Sequence, residues 1–496
     1  MTATDTEKPD TLLTKISLEQ SLAPPRSPPH FTSHRLRLLG QNPQNALYAL
    51  LHRGGSSIDD NKDNDGTAHS EYNYHTGIRD RIEHLLQNQH ILSMRNLRHP
   101  HLSLGPGPSD RLTRYLGATL PLTWQNKGRD SGTFGTIADA LVTCSIPMAA
   151  IANPQAAIQF LKLTKNLKRI YYGNHPSNYI DLFFPENCTE EQCDGLLFFV
   201  HGGAWGSGKP WFYRLVATPF LEQQMSMVVA IVGYRVYPYS QTVDEQVYDL
   251  ECASKKLAEL YPNLCGMNRT KRSIGTCVMG HSSGAHIALL MIVERLKRQV
   301  QRQQQEPSST VTGISTSSSL SKTGNDIIAT MPIDAFVGLS GPYDINHHFC
   351  YEASRGVEEI SPMKAANGYS RSMFQYNSPC QRLKDFLATI DESNPELSVD
   401  KFLPPMALIC GVEDVTVPFT ATSEAANVLR SCGLSRSRVE EIYVPQVGHQ
   451  EDIVQVMLGG KVRNVTVDWL SKYNNKNNND TPQRREESSP ILQSKL

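Results

Sequence analysis

Between Leu167 and Leu470, short and almost unbroken apolar runs alternate with longer stretches in which apolar positions recur every three or four residues. Runs of the first kind are Tyr179–Phe184, Leu196–Val200, Met227–Val232, Ser273–Met279, Ala335–Leu339, Ala407–Cys410 and Glu441–Val444. Their length and continuity suit strands buried on both faces. The stretches Val243–Leu260, Gly284–Leu296 and Phe419–Arg430 carry helical spacing. Strands alternating with helices predict a mostly parallel central sheet with helices on both faces.

Elsewhere the pattern lapses. Residues 1–130 read as a largely disordered N-terminal region, because stretches such as SSIDDNKDND bury too little apolar surface to offset chain entropy. Residues 299–325, rich in Gln, Ser and Thr, fall between a helix and a strand and read as a surface insertion. Residues 473–496 read as a flexible polar tail. Residues 131–166 form an apolar segment whose core, Ala140–Leu161, carries no charge. Pro147, Asn153, Pro154, Gln155 and Gln159 make it too polar for a good membrane span, so an interfacial or packing helix is expected.

Composition changes this picture little. Hydrophobic residues make up 39% of the 496-residue chain, and the shortfall lies in those polar tracts. Forty-eight Lys and Arg face forty-nine Asp and Glu, so nothing suggests a nucleic-acid surface. The cluster from Lys162 to Arg169 reads as solvated surface, with contact to an anionic membrane as the alternative. The ten cysteines lack paired metal-ligand spacing, which predicts no metal site and a reduced intracellular compartment. No signal peptide is expected, since the first thirty residues have no apolar core; sequons at Asn187, Asn268, Asn464 and Asn479 leave a secretory route open.

The sharpest chemical signal is Gly280-His281-Ser282-Ser283-Gly284, after a predicted strand and before a predicted helix. A sharp strand-to-helix turn would lift the Ser282 hydroxyl to where a base can reach it. Upstream, His201-Gly202-Gly203-Ala204-Trp205 also follows a strand. Its small residues let backbone N–H groups of Gly203 and Ala204, with that of Ser283, point at a developing oxyanion, while Gly202 is read as permitting the turn. Both loops then lie at the carboxyl edge of the sheet, where ligands of open α/β sheets gather. Asp414, just past the Ala407–Cys410 strand, is the expected acid, with Glu413 as its rival. His449, past the last strand, is the expected base, while His281 and His286 are read as structural. Such a set would attack an ester carbonyl through Ser282 and pass through an acyl-enzyme, with no cofactor. Trp205 and Tyr343, with His347 and His348, are candidates to line the substrate site.

These motifs, with Tyr234-Arg235, Pro238 and the continuation Ser-Ser-Gly-Ala-His through His286, resemble the hormone-sensitive-lipase-like and kynurenine-formamidase-like branches of the α/β-hydrolases. Tyr172-Gly173, Pro176, Asn178 and Asp181-Leu182-Phe183-Phe184-Pro185 further resemble the first strands of isoprenylcysteine methylesterases. The resemblance implies an α/β-hydrolase domain over 167–472, with residues 345–402 as a small lid or cap segment or a pocket wall, the alternative being that its aromatic side chains only pack it onto the body. It also implies a small-molecule or lipidated ester substrate, prenylcysteine methyl ester foremost, and an intracellular location, either cytoplasmic or in peripheral contact with endoplasmic reticulum or Golgi membranes. An aryl formamidase acting on N-formylkynurenine is the neighbouring reading. A non-catalytic binding protein on the same scaffold is the reading from another class.

Overall fold

The computed structural model describes residues 153–479, apart from 187, 223–224, 267–274, 306–329, 355–356, 359–360 and 391–398. The expected N-terminal region 1–130, residues 131–152 of the apolar segment, residues 306–325 of the insertion and 480–496 of the tail lie outside the described residues.

Eight strands form one sheet: β1 (Lys168–Tyr171), β2 (Tyr179–Phe183), β3 (Gly195–Val200), β4 (Met227–Val232), β5 (Gly275–His281), β6 (Ala335–Leu339), β7 (Met406–Gly411) and β8 (Val439–Val444). Their order is β1-β2-β4-β3-β5-β6-β7-β8. β2 pairs antiparallel with β1 and β4, and every pairing from β4 through β8 is parallel. This is the α/β-hydrolase fold, with the mostly parallel sheet that the alternating pattern predicts. β1 is the strand that the hydrophobic pattern hides, because only Ile170 of its four residues is buried.

The main helices are α1 (Pro154–Asn166), α2 (Val243–Leu260), α3 (Ser283–Gln305), α4 (Ile345–Ser354), α5 (Arg371–Asn377), α6 (Pro379–Leu387), α7 (Thr420–Ser431), α8 (His449–Leu458) and α9 (Lys461–Asn479). α3 runs into the sequence expected to begin the insertion, and α9 runs into the expected tail. β3 and β4 are buried along their whole length, so successive side chains feed two separate cores. Leu196, Phe198 and Val228 pack with residues of α2, α3 and α7. Leu197, Phe199 and Ile231 pack with Leu163 of α1, Ile453 of α8 and Trp469 of α9 on the other side.

α1 starts at an Asn153 cap, whose side chain accepts the Ala156 N–H at 3.0 Å, with Pro154 in the first turn. Its Leu163 is buried, while Ile158 and Leu161 face outward. No described helix is long and apolar enough to cross a membrane.

The basic cluster is only partly solvated surface. Arg169 bonds Asp181 at 2.7 Å, and Arg214, from the 3₁₀ turn Pro210–Ala217, reaches the other oxygen of the same carboxylate at 3.0 Å. Arg214 also donates to Thr164 on α1 at 2.9 Å, so one buried carboxylate joins β1, β2, the 3₁₀ turn and α1. Asp181→Ala would strand the Arg214 charge, whose side chain is 9% exposed. It is expected to cost about 3–5 kcal/mol. Urea unfolding checks this, and a loss under about 1 kcal/mol would mean that Arg214 finds water instead.

Candidate active site

The 280–284 turn is built by close approach. A β-carbon on Gly284 would stand 2.3 Å from the carbonyl oxygens of Val200 and His201, so no other residue lets the head of α3 lie against the end of β3. Ser282 takes a left-handed conformation, φ 54°, and its N–H donates to Leu339 O at 2.8 Å. Such a φ is costly for serine and persists because Ala285 and His286 N–H groups hold the Ser282 carbonyl.

The three residues expected to act together are brought together. His449 Nε2 lies 2.9 Å from Ser282 Oγ, and His449 Nδ1 lies 2.6 Å from Asp414 Oδ2. Asp414 is fully buried, and its Oδ1 accepts the Thr416 and Val417 N–H groups at 2.7 and 2.8 Å. Those donors orient the carboxylate so that Oδ2 faces the imidazole. Glu413 is exposed, with its backbone N–H on Val447 O, which removes it as a rival.

Beside Ser282, Gly203, Ala204 and Trp205 all have positive φ and form the turn after β3. Among the described residues, no backbone acceptor takes the N–H of Gly203 or Ala204. Gly202 serves close approach rather than the turn itself. A β-carbon there would lie 2.8 Å from His281 O and 3.1 Å from Ser282 Cβ. The His201 ring stacks with Tyr213 and Tyr234, and burial lowers its pKa to about 4, so it stays neutral.

A family model described as BD-FAE matches residues 180–429, which span the strands and loops carrying Ser282 and Asp414. The chain belongs to the BD-FAE family. An isoprenylcysteine alpha-carbonyl methylesterase of Arabidopsis thaliana is 25% identical over 327 residues, covering 66% of this chain and 64% of that protein. A probable isoprenylcysteine alpha-carbonyl methylesterase of the same plant is 29% identical over 271 residues, covering 54% and 48%. The chain thus spans between about half and two thirds of the length of these relatives. Among solved structures, a truncated carbohydrate esterase from gut microbiota is similar at 18% identity with a TM-score of 0.42, covering 62% of this chain and 95% of that one.

Of the four residues expected along the substrate site in this BD-FAE chain, Trp205, Tyr343 and His348 are buried and His347 is exposed. Trp205 is 1% exposed, and its indole N–H donates to His286 Nδ1 at 3.1 Å. Tyr343, also 1% exposed, is a core side chain. Its ring lies over Gly338 and Gly341, where a β-carbon would come within 2.0 and 2.5 Å. His286 is structural, as its place on α3 suggests: Nε2–H donates to Asn377 O at 2.7 Å, and burial lowers its pKa to about 3. His281 is more than a spacer, since its Nε2 lies 3.2 Å from the carbonyl oxygen of His449. Two further groups escape the motif reading. Asp452, one turn past His449, and Ser340, at the end of β6, are joined by a hydrogen bond.

The 345–402 segment supplies Phe349, Met363 and Phe374 to the main core, so much of its aromatic content packs the segment onto the body. Two contacts pin α4 near the acid loop. Tyr351 Oη donates to Val415 O at 3.0 Å, and His347 Nδ1 meets Glu424 of α7 at 2.7 Å. The Glu424 hydrogen bond raises His347 from 6.5 to about 9, against the opposing effect of burial. A raised folded pKa means the pair stabilises fully below about pH 6.5 and ceases to as pH climbs through about 9. His347→Gln is therefore expected to flatten the fall in melting temperature between pH 7 and 10 relative to the parent. Parallel curves for the two proteins would show that the pair adds nothing.

Proposed function

We propose that the protein is a serine carboxylesterase, with Ser282 as nucleophile, His449 as general base and acid, and Asp414 as the residue that orients the base. The observation that carries this reading is the continuous contact from Asp414 Oδ2 through His449 to Ser282 Oγ, at 2.6 and 2.9 Å. Membership of the BD-FAE family and the likeness to plant methylesterases support ester hydrolysis as the reaction class.

His449 Nε2 accepts the Ser282 proton as Oγ attacks the ester carbonyl carbon. The carbonyl oxygen becomes an oxyanion beside the N–H groups of Gly203, Ala204 and Ser283, at the amino end of α3. The tetrahedral adduct collapses, and protonated His449 hands its proton to the departing alkoxide. Water then enters, loses a proton to His449, attacks the acyl carbon and releases the acid with Ser282 restored. Asp414 keeps Nδ1 protonated throughout and stabilises the imidazolium. Of the esters this site could take, a prenylcysteine methyl ester is the substrate that the likeness to the plant isoprenylcysteine methylesterases favours. Its leaving alcohol would be methanol, which demands little room on the leaving-group side.

The test is steady-state hydrolysis by full-length protein and Ser282→Ala. The panel holds short and medium p-nitrophenyl esters, S-farnesylcysteine methyl ester and N-formylkynurenine. Loss of at least about a thousandfold in kcat is expected in the variant, with S-farnesylcysteine methyl ester giving the highest kcat/KM. Activity that survives Ser282→Ala would overturn the assignment, and a preference for N-formylkynurenine would replace the ester with a formamide.

A further inference from the structure

Asp452 is a fully buried carboxylic acid that no step above uses. It stands in the first turn of α8, three residues after His449, and its backbone N–H donates to Gly448 O at 3.1 Å. Its Oδ2 accepts the N–H of Gly411, the last residue of β7, at 3.2 Å. The same oxygen takes the Ser340 hydroxyl. Its Oδ1 accepts no hydrogen bond from the described residues.

Those two partners are informative. Ser340 follows Leu339, whose carbonyl holds the Ser282 N–H, and its own N–H donates to Ile409 O of β7 at 2.8 Å. It is a buried serine at φ 45°, a conformation that the surroundings must enforce. Gly411 opens the loop that carries Asp414, and the loop's Glu413 N–H donates to Val447 O, two residues before the base. One carboxylate therefore touches the strand end that holds Ser282 and the strand end that leads to Asp414, from the helix that begins with His449.

We propose that Asp452 is a positioning residue for the base: through Ser340 and Gly411 it locks the ends of β6 and β7 to the start of α8 and so sets where His449 stands against Ser282 and Asp414. The placement is expensive. Burial, opposed by the Ser340 hydrogen bond, pushes the Asp452 carboxyl up to about 7, with Asp414 and His449 as its charged neighbours. An apolar side chain would fill the same space without that cost, so packing alone does not account for an acid here.

This inference rests on the serine-esterase reading, and its test separates the two. Asp452→Ala, Asp452→Asn and Ser340→Ala are assayed on p-nitrophenyl butyrate, and competent sites are counted by endpoint titration with an organophosphate. Misplacement of the base is expected to lower kcat per titrated site by about tenfold or more in Asp452→Ala, with KM changed by less than about threefold. Asp452→Asn keeps an acceptor for Gly411 and a partner for Ser340, and it is expected to regain most of that loss. Ser340→Ala, which removes one hydrogen bond, is expected to fall between, and it carries the test if Asp452→Ala does not fold. A kcat per site within about threefold of the parent in Asp452→Ala and Ser340→Ala, or no recovery in Asp452→Asn, would overturn the positioning role while Ser282-dependent turnover leaves the esterase standing. Absence of Ser282-dependent turnover in the parent would sink the esterase reading and the positioning role with it.

Discussion

Gly284 presses the head of α3 against the carbonyl oxygens of Val200 and His201, at a separation where any β-carbon would collide. The arrangement around the site depends on that backbone contact. It sets the height of Ser282 above the sheet and brings the 202–205 turn alongside it, because both loops leave neighbouring parallel strands at the same edge. The positive φ of Ser282 is the local cost. The fully buried strands β3 and β4 and the two apolar layers on either side keep the turn from relaxing.

His449 is held with equal care and by different means. Asp414 is oriented by two backbone N–H groups and presents its free oxygen to the imidazole. His281 meets the carbonyl of His449 from within the 280–284 turn, so the expected nucleophile and the expected base share a support. Burial of His281, lowered to about 3, keeps it neutral and lets it act by shape and hydrogen bonding alone. Asp452 adds hydrogen bonds to Ser340 and Gly411 at the ends of β6 and β7.

A second polar chain runs from the 202–205 turn into the 345–402 segment. Trp205 donates to His286, His286 donates to the Asn377 carbonyl, and the Asn377 amide donates to Asn367 O. Arg382 joins this chain at the Asn377 side chain while meeting Asp244 of α2 and Glu294 of α3. The segment is thus bonded to the body by directional contacts as well as by Phe349 and Phe374.

Local pattern was enough to determine the alternation of strands and helices and the three loops that hold Ser282, Asp414 and His449. Buried parallel strands must be apolar throughout, and a tight strand-to-helix turn must have glycine where backbones touch. β1 escaped because an edge strand with one buried residue carries almost no such pattern. Only the tertiary structure showed that Asp414 meets His449 while its neighbour Glu413 faces solvent. It alone turned Trp205 and Tyr343 inward and gave Arg169 a buried partner. It alone joined Asp452 to Ser340 across 112 residues of chain. A hydrogen bond of that separation leaves no periodic trace in the sequence, because its geometry belongs to the packed sheet and not to either segment.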